Sequence, residues 1–166
     1  DTAANHGANR WLIQYREKGD DWVNAATSTT TSHTIGKLTP MTEYEFKVYS
    51  EAGSTAWSGT WSAASNVVKF KTPPSKAKNL TASNVTESSV RLDWTVSDAK
   101  CWDRWLVQYR LGGGTWINAG TSQNMYYTVT GLTASKNYEF RVYSEAGPAA
   151  WSGTWSPVSN IAKATT

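Results

Sequence analysis

The chain has 166 residues, a formal net charge of +3 and 17% charged side chains, but ten tryptophans and eight tyrosines. No run of lysine and arginine exceeds two residues, which argues against a nucleic-acid-binding protein. The longest apolar run is far below the roughly 18 residues that span a bilayer, so we expect no membrane insertion of this segment. The single cysteine excludes an intrachain disulfide.

Short segments of alternating apolar and polar residues predict β-strands along the whole chain. In the first half these segments are WLIQY at 11–15 and YEFKVY at 44–49. In the second half, VRLDW at 90–94 places three apolar side chains on one face, and WLVQY at 105–109 and YEFRVY at 138–143 alternate in the same way. Stretches rich in glycine, serine, threonine and asparagine separate them and predict turns.

The two halves of the chain are copies of each other. Residues 10–72 align with residues 104–166 without a gap, with 35 identities in 63 positions, at a constant offset of 94 residues. This repeat predicts a module at 1–72 and a second module at 73–166. Pro73 and Pro74 favour an extended, semi-rigid connection between them.

The first module is predicted to be incomplete at its N-terminus. The second module begins with NLTASNVTESSVRLDW at 79–94, whereas Asp1 aligns with Thr95, just after that stretch. Three explanations are open: the sequence is a slice of a longer chain, a separate polypeptide donates the two missing strands, or the first module is partly unfolded. We expect the slice.

The order and spacing of these segments resemble tandem fibronectin type III domains. The resemblance is carried by Leu80, by Trp94 at the end of the second strand, by WLVQYR at 105–110 and by GLTASKNYEFRVYSEAG at 131–147. It implies an all-β fold of two tandem immunoglobulin-like β-sandwiches joined by a short Pro-Pro linker. It also implies that Tyr138 and Tyr44 form tyrosine corners and are structural.

The sequence WSGTWS occurs at 57–62 and again at 151–156. In the layout that the resemblance implies, Trp155 begins the last strand, beside the strand that carries Arg141 outward. We therefore predict a tryptophan–cation ladder in which Trp155 stacks on Arg141 and Trp61 stacks on Lys47. The hexapeptide also resembles the Trp-Ser-x-Trp-Ser signature of cytokine receptors, but it has an extra residue and the receptors' paired cysteines are missing, so receptor function is not carried over.

Three further tryptophans are candidates for binding or for contact between modules: Trp57, Trp102 and Trp151. Trp57 and Trp151 are expected on loops, which carry recognition more often than cores do. Trp102 and Trp151 are expected at one end of the second sandwich, near the hydroxyl-rich loop at 121–125. This end either forms a ligand-binding tip or packs at the joint between the modules, and we favour the joint.

Several residues are candidates for covalent modification. Asn79 and Asn84 begin N-glycosylation sequons, and Trp102 begins a Trp-x-x-Trp pattern that can be C-mannosylated. Cys101 is either a cross-link between chains or an idle reduced thiol.

The sequence contains no pattern that indicates catalysis. His6 and His33 align with Lys100 and Tyr127, so neither belongs to the repeated design, and neither has the spacing of a metal pair. We expect no enzyme, cofactor or metal. The expected function is a structural or adhesive repeat segment of an extracellular, secreted or cell-surface rod or filament, whose partners are further modules of the same protein, identical chains and glycans. A carbohydrate-binding accessory module is the alternative, and an intracellular scaffold is a third option.

Overall fold

The computed structural model describes residues 7–97 and 101–166, and the chain divides into two compact units, Asp1–Thr72 and Pro73–Thr166, here called module one and module two. His6 lies outside the described residues. The described residues form strands and no helix. In chain order the strands are β1 Arg10–Glu17, β2 Val23–Ser28, β3 Glu43–Ala52, β4 Thr60–Trp61, β5 Val68–Lys71, β6 Lys78–Ser83, β7 Ser89–Thr95, β8 Arg104–Leu111, β9 Ile117–Ser122, β10 Tyr126–Thr130, β11 Asn137–Ala146, β12 Thr154–Trp155 and β13 Ala162–Thr165.

Module two is a sandwich of two antiparallel sheets. One sheet has the order β10-β7-β6, and the other has the order β12-β11-β8-β9 with β13 also paired to β11. The side chains that the alternation assigns to the inner faces form one core, which confirms that part of the sequence analysis. The core includes Leu80, Val90, Leu92, Trp94, Trp105, Val107, Tyr138, Phe140 and Val142.

Module one has a single sheet among its described residues, with the order β2-β1-β3-β4 and β5 paired to β3. It corresponds to the β12-β11-β8-β9 sheet of module two. The sequence predicts the loss of two strands, but a third strand is also missing: residues 32–36 align with β10 and form no strand. The physical reason is that β10 is bonded to β7, and the described residues of module one include no counterpart of β7 with which this segment could pair.

The tyrosine corners form in both modules. The Tyr138 hydroxyl accepts a hydrogen bond from the Thr133 N–H at 2.9 Å, and the Tyr44 hydroxyl accepts one from the Thr39 N–H at 3.0 Å. Each bond satisfies a turn backbone next to the buried strand that carries the tyrosine. Both residues are therefore part of the architecture.

Candidate functional site

The loop that contains the second WSGTWS sequence folds over a buried carboxylate. Glu145 lies on the outward face of β11, yet it is completely buried. Its Oε1 accepts hydrogen bonds from the Gly153 N–H at 2.8 Å and from the indole N–H of Trp155 at 3.2 Å. Its Oε2 accepts bonds from the Trp151 N–H at 3.1 Å and from Arg104 Nη1 at 3.0 Å. We call Glu145 with residues 147–156 the tryptophan clasp of module two.

The residue types of the hexapeptide follow from the geometry of the clasp. A Cβ at Gly153 would collide with the carbonyl oxygen of Ala146, so only glycine fits. Trp151 has φ of +66°, a left-handed conformation that costs a non-glycine residue about 1–2 kcal/mol and is held here by its bond to Glu145. The Ser156 hydroxyl accepts the N–H of Ser144 at 3.0 Å and replaces a backbone bond of the sheet.

Module one repeats the clasp around Glu51, with residues 53–62 as its loop. Glu51 is completely buried, and its Oε1 accepts the Gly59 N–H at 2.8 Å and the Trp61 indole N–H at 3.2 Å. Trp57 has φ of +68°. The Oε2 atom of Glu51 has no hydrogen-bond partner in the part of the chain that the structure describes, and Arg10 Nη1 lies 3.6 Å from it.

Both buried glutamates are held in the ionised form. Burial acts to raise the pKa of Glu145, but the Gly153 N–H, Arg104 and the Trp151 N–H outweigh it, and the pKa lies below its ordinary value. Burial also opposes ionisation of Glu51, and the Gly59 N–H and the Trp61 indole again lower the pKa below its ordinary value. A negative charge at the centre of each loop therefore organises the hydrogen-bond donors around it.

The predicted stacking of Trp155 on Arg141 and of Trp61 on Lys47 is replaced by a different arrangement. The Arg141 guanidinium lies over Trp116, 4.1 Å from the ring centroid, and Lys47 Nζ lies 4.0 Å from the centroid of Trp22. The reason is register: Trp155 pairs with Glu145, so Tyr143, two residues along the same face of β11, is the ring nearest to it.

A continuous aromatic–cation ladder results on the outward face of each module. In module two the centroid of Tyr143 lies 5.3 Å from both Arg141 and Trp155, and Trp155 contacts Trp151 at 5.8 Å. Arg110 lies on Trp116 at 4.5 Å. The ladder of module two is Arg110, Trp116, Arg141, Tyr143, Trp155 and Trp151, and that of module one is Arg16, Trp22, Lys47, Tyr49, Trp61 and Trp57.

Sequence reasoning missed several residues of these sites, among them Glu51, Glu145, Trp22 and Trp116. The repeat contains the signal that would have found them, because each residue recurs at the offset of 94. Each of the two tryptophans immediately precedes an edge strand. The two glutamates are buried, whereas a charged residue on the outward face of a sheet is expected to be exposed to solvent.

The other predicted site residues occupy separate places. Trp102 packs on Trp105 with centroids 4.7 Å apart and adjoins the core of module two. Cys101 is half-buried, and its thiol bonds to Ser75. Asn79 and Asn84 are exposed, and both have positive φ. Their modification, the cross-link at Cys101 and the C-mannosylation of Trp102 stay predictions.

The described residues offer neither a metal-binding cluster nor a membrane-spanning helix. Within residues 7–97 and 101–166, no group of three or more His, Cys, Asp or Glu side chains is arranged to hold a metal ion. Over the same residues, no helix has the length and apolar character needed to cross a membrane.

Comparisons with known proteins define the class of this chain. The model of the fibronectin type III domain matches residues 3–68 and 72–161. The chain therefore belongs to the fibronectin type III family and contains tandem domains of it, as the sequence analysis predicts.

The chain is also similar to individual proteins. It is 31% identical over 147 residues to the receptor-type tyrosine-protein phosphatase eta of Gallus gallus, a match that covers 87% of this chain and 10% of that protein. The chain thus spans about a tenth of the length of that curated relative. A two-domain fibronectin type III segment of chicken tenascin superposes with a TM-score of 0.54 at 19% identity, covering 98% of this chain and 87% of that one.

A segment of titin domains gives a TM-score of 0.51 at 17% identity and covers 94% of this chain and 54% of that one. At these identities the likeness to both solved structures concerns the fold alone.

Proposed function

We propose that the chain is a non-catalytic structural or adhesive repeat segment of an extracellular protein that forms rods or filaments. The observation that carries the proposal is the repeated clasp. In both modules WSGTWS, which is identical in the two copies, directs its backbone and indole N–H groups onto a glutamate of its own module. Because this repeated sequence makes contacts within its own module, it is typical of a unit that is repeated for its fold.

The partners in this proposal are further modules of the same protein or identical chains. Pro73 and Pro74, which favour an extended connection between the modules, support this proposal. Electron microscopy of the native protein tests this idea. Elongated rods or filaments are expected, and isolated globules would contradict the proposal.

The extracellular, secreted or cell-surface location is supported by two sequons whose asparagines are exposed, Asn79 and Asn84. It is also consistent with the word "receptor" in the name of the phosphatase relative. Glycopeptide mass spectrometry of the native protein is expected to find glycan on Asn79 or Asn84. Unmodified peptides from a protein recovered inside the cell would contradict this location and favour a scaffold within the cell.

Carbohydrate binding is the second candidate function, and one observation favours it: Trp61 and Trp155 keep 37% and 36% of their surface exposed. Exposed indoles beside Trp57 and Trp151 offer flat apolar faces to sugar rings. Fluorescence titration against a panel of polysaccharides is expected to show quenching that weakens in Trp151→Ala and Trp155→Ala. The absence of quenching, or quenching in both variants as strong as in the parent chain, would exclude this function.

A further inference from the structure

The outer strands of the two sheets of module two differ in how their edges are protected. At β6, the side-chain amide of Asn160 bonds to both the N–H and the C=O of Leu80, each at 2.9 Å. At β9, the register with β8 shifts within the strand, and the Ala119 carbonyl accepts the Tyr127 hydroxyl at 3.0 Å. The chain between β12 and β13 is irregular. Features of this kind prevent an edge from pairing with another strand.

The outer strand β10 lacks such protection in the part of the chain that the structure describes. It pairs with β7 on one side and with no strand on the other. Its sequence, YYTVT at 126–130, contains no charged residue and no proline, which are the residues that commonly block an edge. Tyr126, Thr128 and Thr130 are exposed. The edge of β10 is therefore available for pairing.

The hydrogen bonds around β10 show which of its backbone groups lie on the free edge. The Trp94 N–H donates to the Met125 carbonyl at 3.1 Å, so Met125 points its carbonyl toward β7. Backbone groups alternate along an antiparallel strand, and those of Thr128 consequently point away from β7. The Ser122 hydroxyl donates to the Tyr126 carbonyl at 2.8 Å from the free side, which agrees with this alternation.

The free edge of β10 is complementary to a second copy of itself. In an antiparallel pair with Thr128 at a twofold axis, the Thr128 N–H donates to the carbonyl of the partner's Thr128, and Tyr126 lies opposite the partner's Thr130. Thr–Thr and aromatic–β-branched pairs are favourable across strands. Arg91 lies over Tyr126, 4.4 Å from the ring centroid, but it is paired with Asp93, so no uncompensated charge opposes the contact.

We propose that identical chains associate through β10 of module two. Antiparallel pairing about Thr128 joins the β10-β7-β6 sheets of two copies into one continuous sheet. This inference rests on the proposed association of identical chains and names the surface through which it occurs. One such contact is short, so its affinity is expected to be weak, and several modules in one protein would strengthen the association by acting together.

Sedimentation equilibrium of the 166-residue chain at a series of concentrations tests the proposal. A reversible dimer is expected. Thr128→Lys places two like charges opposite each other at the axis, so the dissociation constant is expected to rise at least about tenfold. The matched control is Thr81→Lys, the same substitution at an exposed position of β6 in the same sheet, which is expected to associate as the parent chain does.

A mixture of two variants tests the register. Thr128→Lys and Thr128→Glu are each expected to stay monomeric, whereas an equal mixture is expected to form dimers, because lysine then lies opposite glutamate. Recovered association also shows that both variants fold. In the parent chain, the amide NMR signals of Thr128 and Thr130 are expected to shift as the concentration rises, and those of Leu80 and Asn118 are expected to stay in place.

Three results would overturn the proposal: a parent chain that is monomeric up to about 1 mM, equal association of Thr128→Lys and Thr81→Lys, or a mixture that stays monomeric. A dimer whose concentration-dependent shifts lie in module one would overturn it as well. The proposed structural function is judged separately. Rods or filaments in electron microscopy would uphold that function even if the β10 contact fails, whereas isolated globules would contradict the function itself.

Discussion

Glu145 and Glu51 are the residues on which the two WSGTWS loops depend. A carboxylate that accepts two backbone N–H groups, an indole N–H and a guanidinium leaves four donors unsatisfied when it is removed, and a buried donor without a partner is costly. The positions of the tryptophans in each WSGTWS loop therefore depend on a glutamate that sequence reasoning missed.

Replacing Glu145 by alanine is expected to lower the free energy of unfolding of module two by about 2–4 kcal/mol, because Arg104 and three other donors lose their acceptor. Urea unfolding followed by tryptophan fluorescence measures the change. The control is Glu87→Ala, at an exposed position, with an expected effect within about 0.5 kcal/mol. Equal stabilities of the two variants would show that the clasp contributes nothing.

Replacing Gly59 by alanine is expected to destabilise module one by more than about 1 kcal/mol, because the new Cβ meets the Ala52 carbonyl oxygen. A Cβ at Gly36 would meet no other atom within 4 Å, so Gly36→Ala serves as the control in the same module. Denaturant unfolding read at the amide signals of Tyr44 and Phe46 compares them. A Gly59→Ala variant as stable as the control would argue against the loop geometry.

At the scale of elements, β11 carries two carboxylates of module two whose pKa values are lowered. Lys163 and Arg110 bond to Glu139 and hold the pKa of its carboxyl below the ordinary value of 4.5. The pKa of Glu145, on the same strand, is also lowered although burial opposes this. The folded state therefore binds fewer protons than the unfolded state as the pH falls toward 4.5.

The stability of module two is accordingly expected to be constant near neutral pH and to decrease as the pH falls below about 5, through the folded-state pKa values. Urea unfolding at a series of pH values from 7 to 3 measures this dependence. Asp93 of β7, beside Arg91, also has a lowered pKa, so Glu139→Gln removes one of three such groups and its profile is expected to be flatter than that of the parent. A stability that rises on acidification would contradict the sign.

The strands could be predicted from the sequence, and the contacts between them only in part. Alternation in β7, β8 and β11 assigned the core side chains correctly, because period two follows from strand geometry alone. The partner of Arg141 was wrong, since it depends on the register of a two-residue strand, β12. The missing strand at residues 32–36 was also beyond prediction from local sequence, because strand formation there requires a neighbour.

At the scale of the whole molecule, the repeat allows each residue of one module to be compared with its counterpart in the other. Phe46 and Val48 are only partly buried, whereas Phe140 and Val142 are completely buried. Module one therefore has less apolar area removed from water for a sheet of nearly the same sequence.

Hydrogen exchange on the 166-residue chain is expected to show slower exchange throughout module two. The amides of Trp105, Val107 and Phe140 should be protected more strongly than those of Trp11, Ile13 and Phe46, because their local opening requires more of the core to unfold. Mass spectrometry or NMR of the same sample compares the pairs directly. Equal protection of the paired amides would show that the smaller buried apolar area does not weaken module one.

The serine hydroxyls that accept N–H groups of β11 affect how readily this edge of the sheet can pair with a strand of another chain. Ser156 and Ser159 complete the hydrogen bonding of β11 while the chain between β12 and β13 stays irregular and includes Pro157, which has no amide proton to offer. A strand of a neighbouring molecule therefore finds no regular row of backbone donors and acceptors along this edge with which to pair. We therefore expect this edge of the sheet to resist pairing with a strand of another copy of the chain, even at high local concentration.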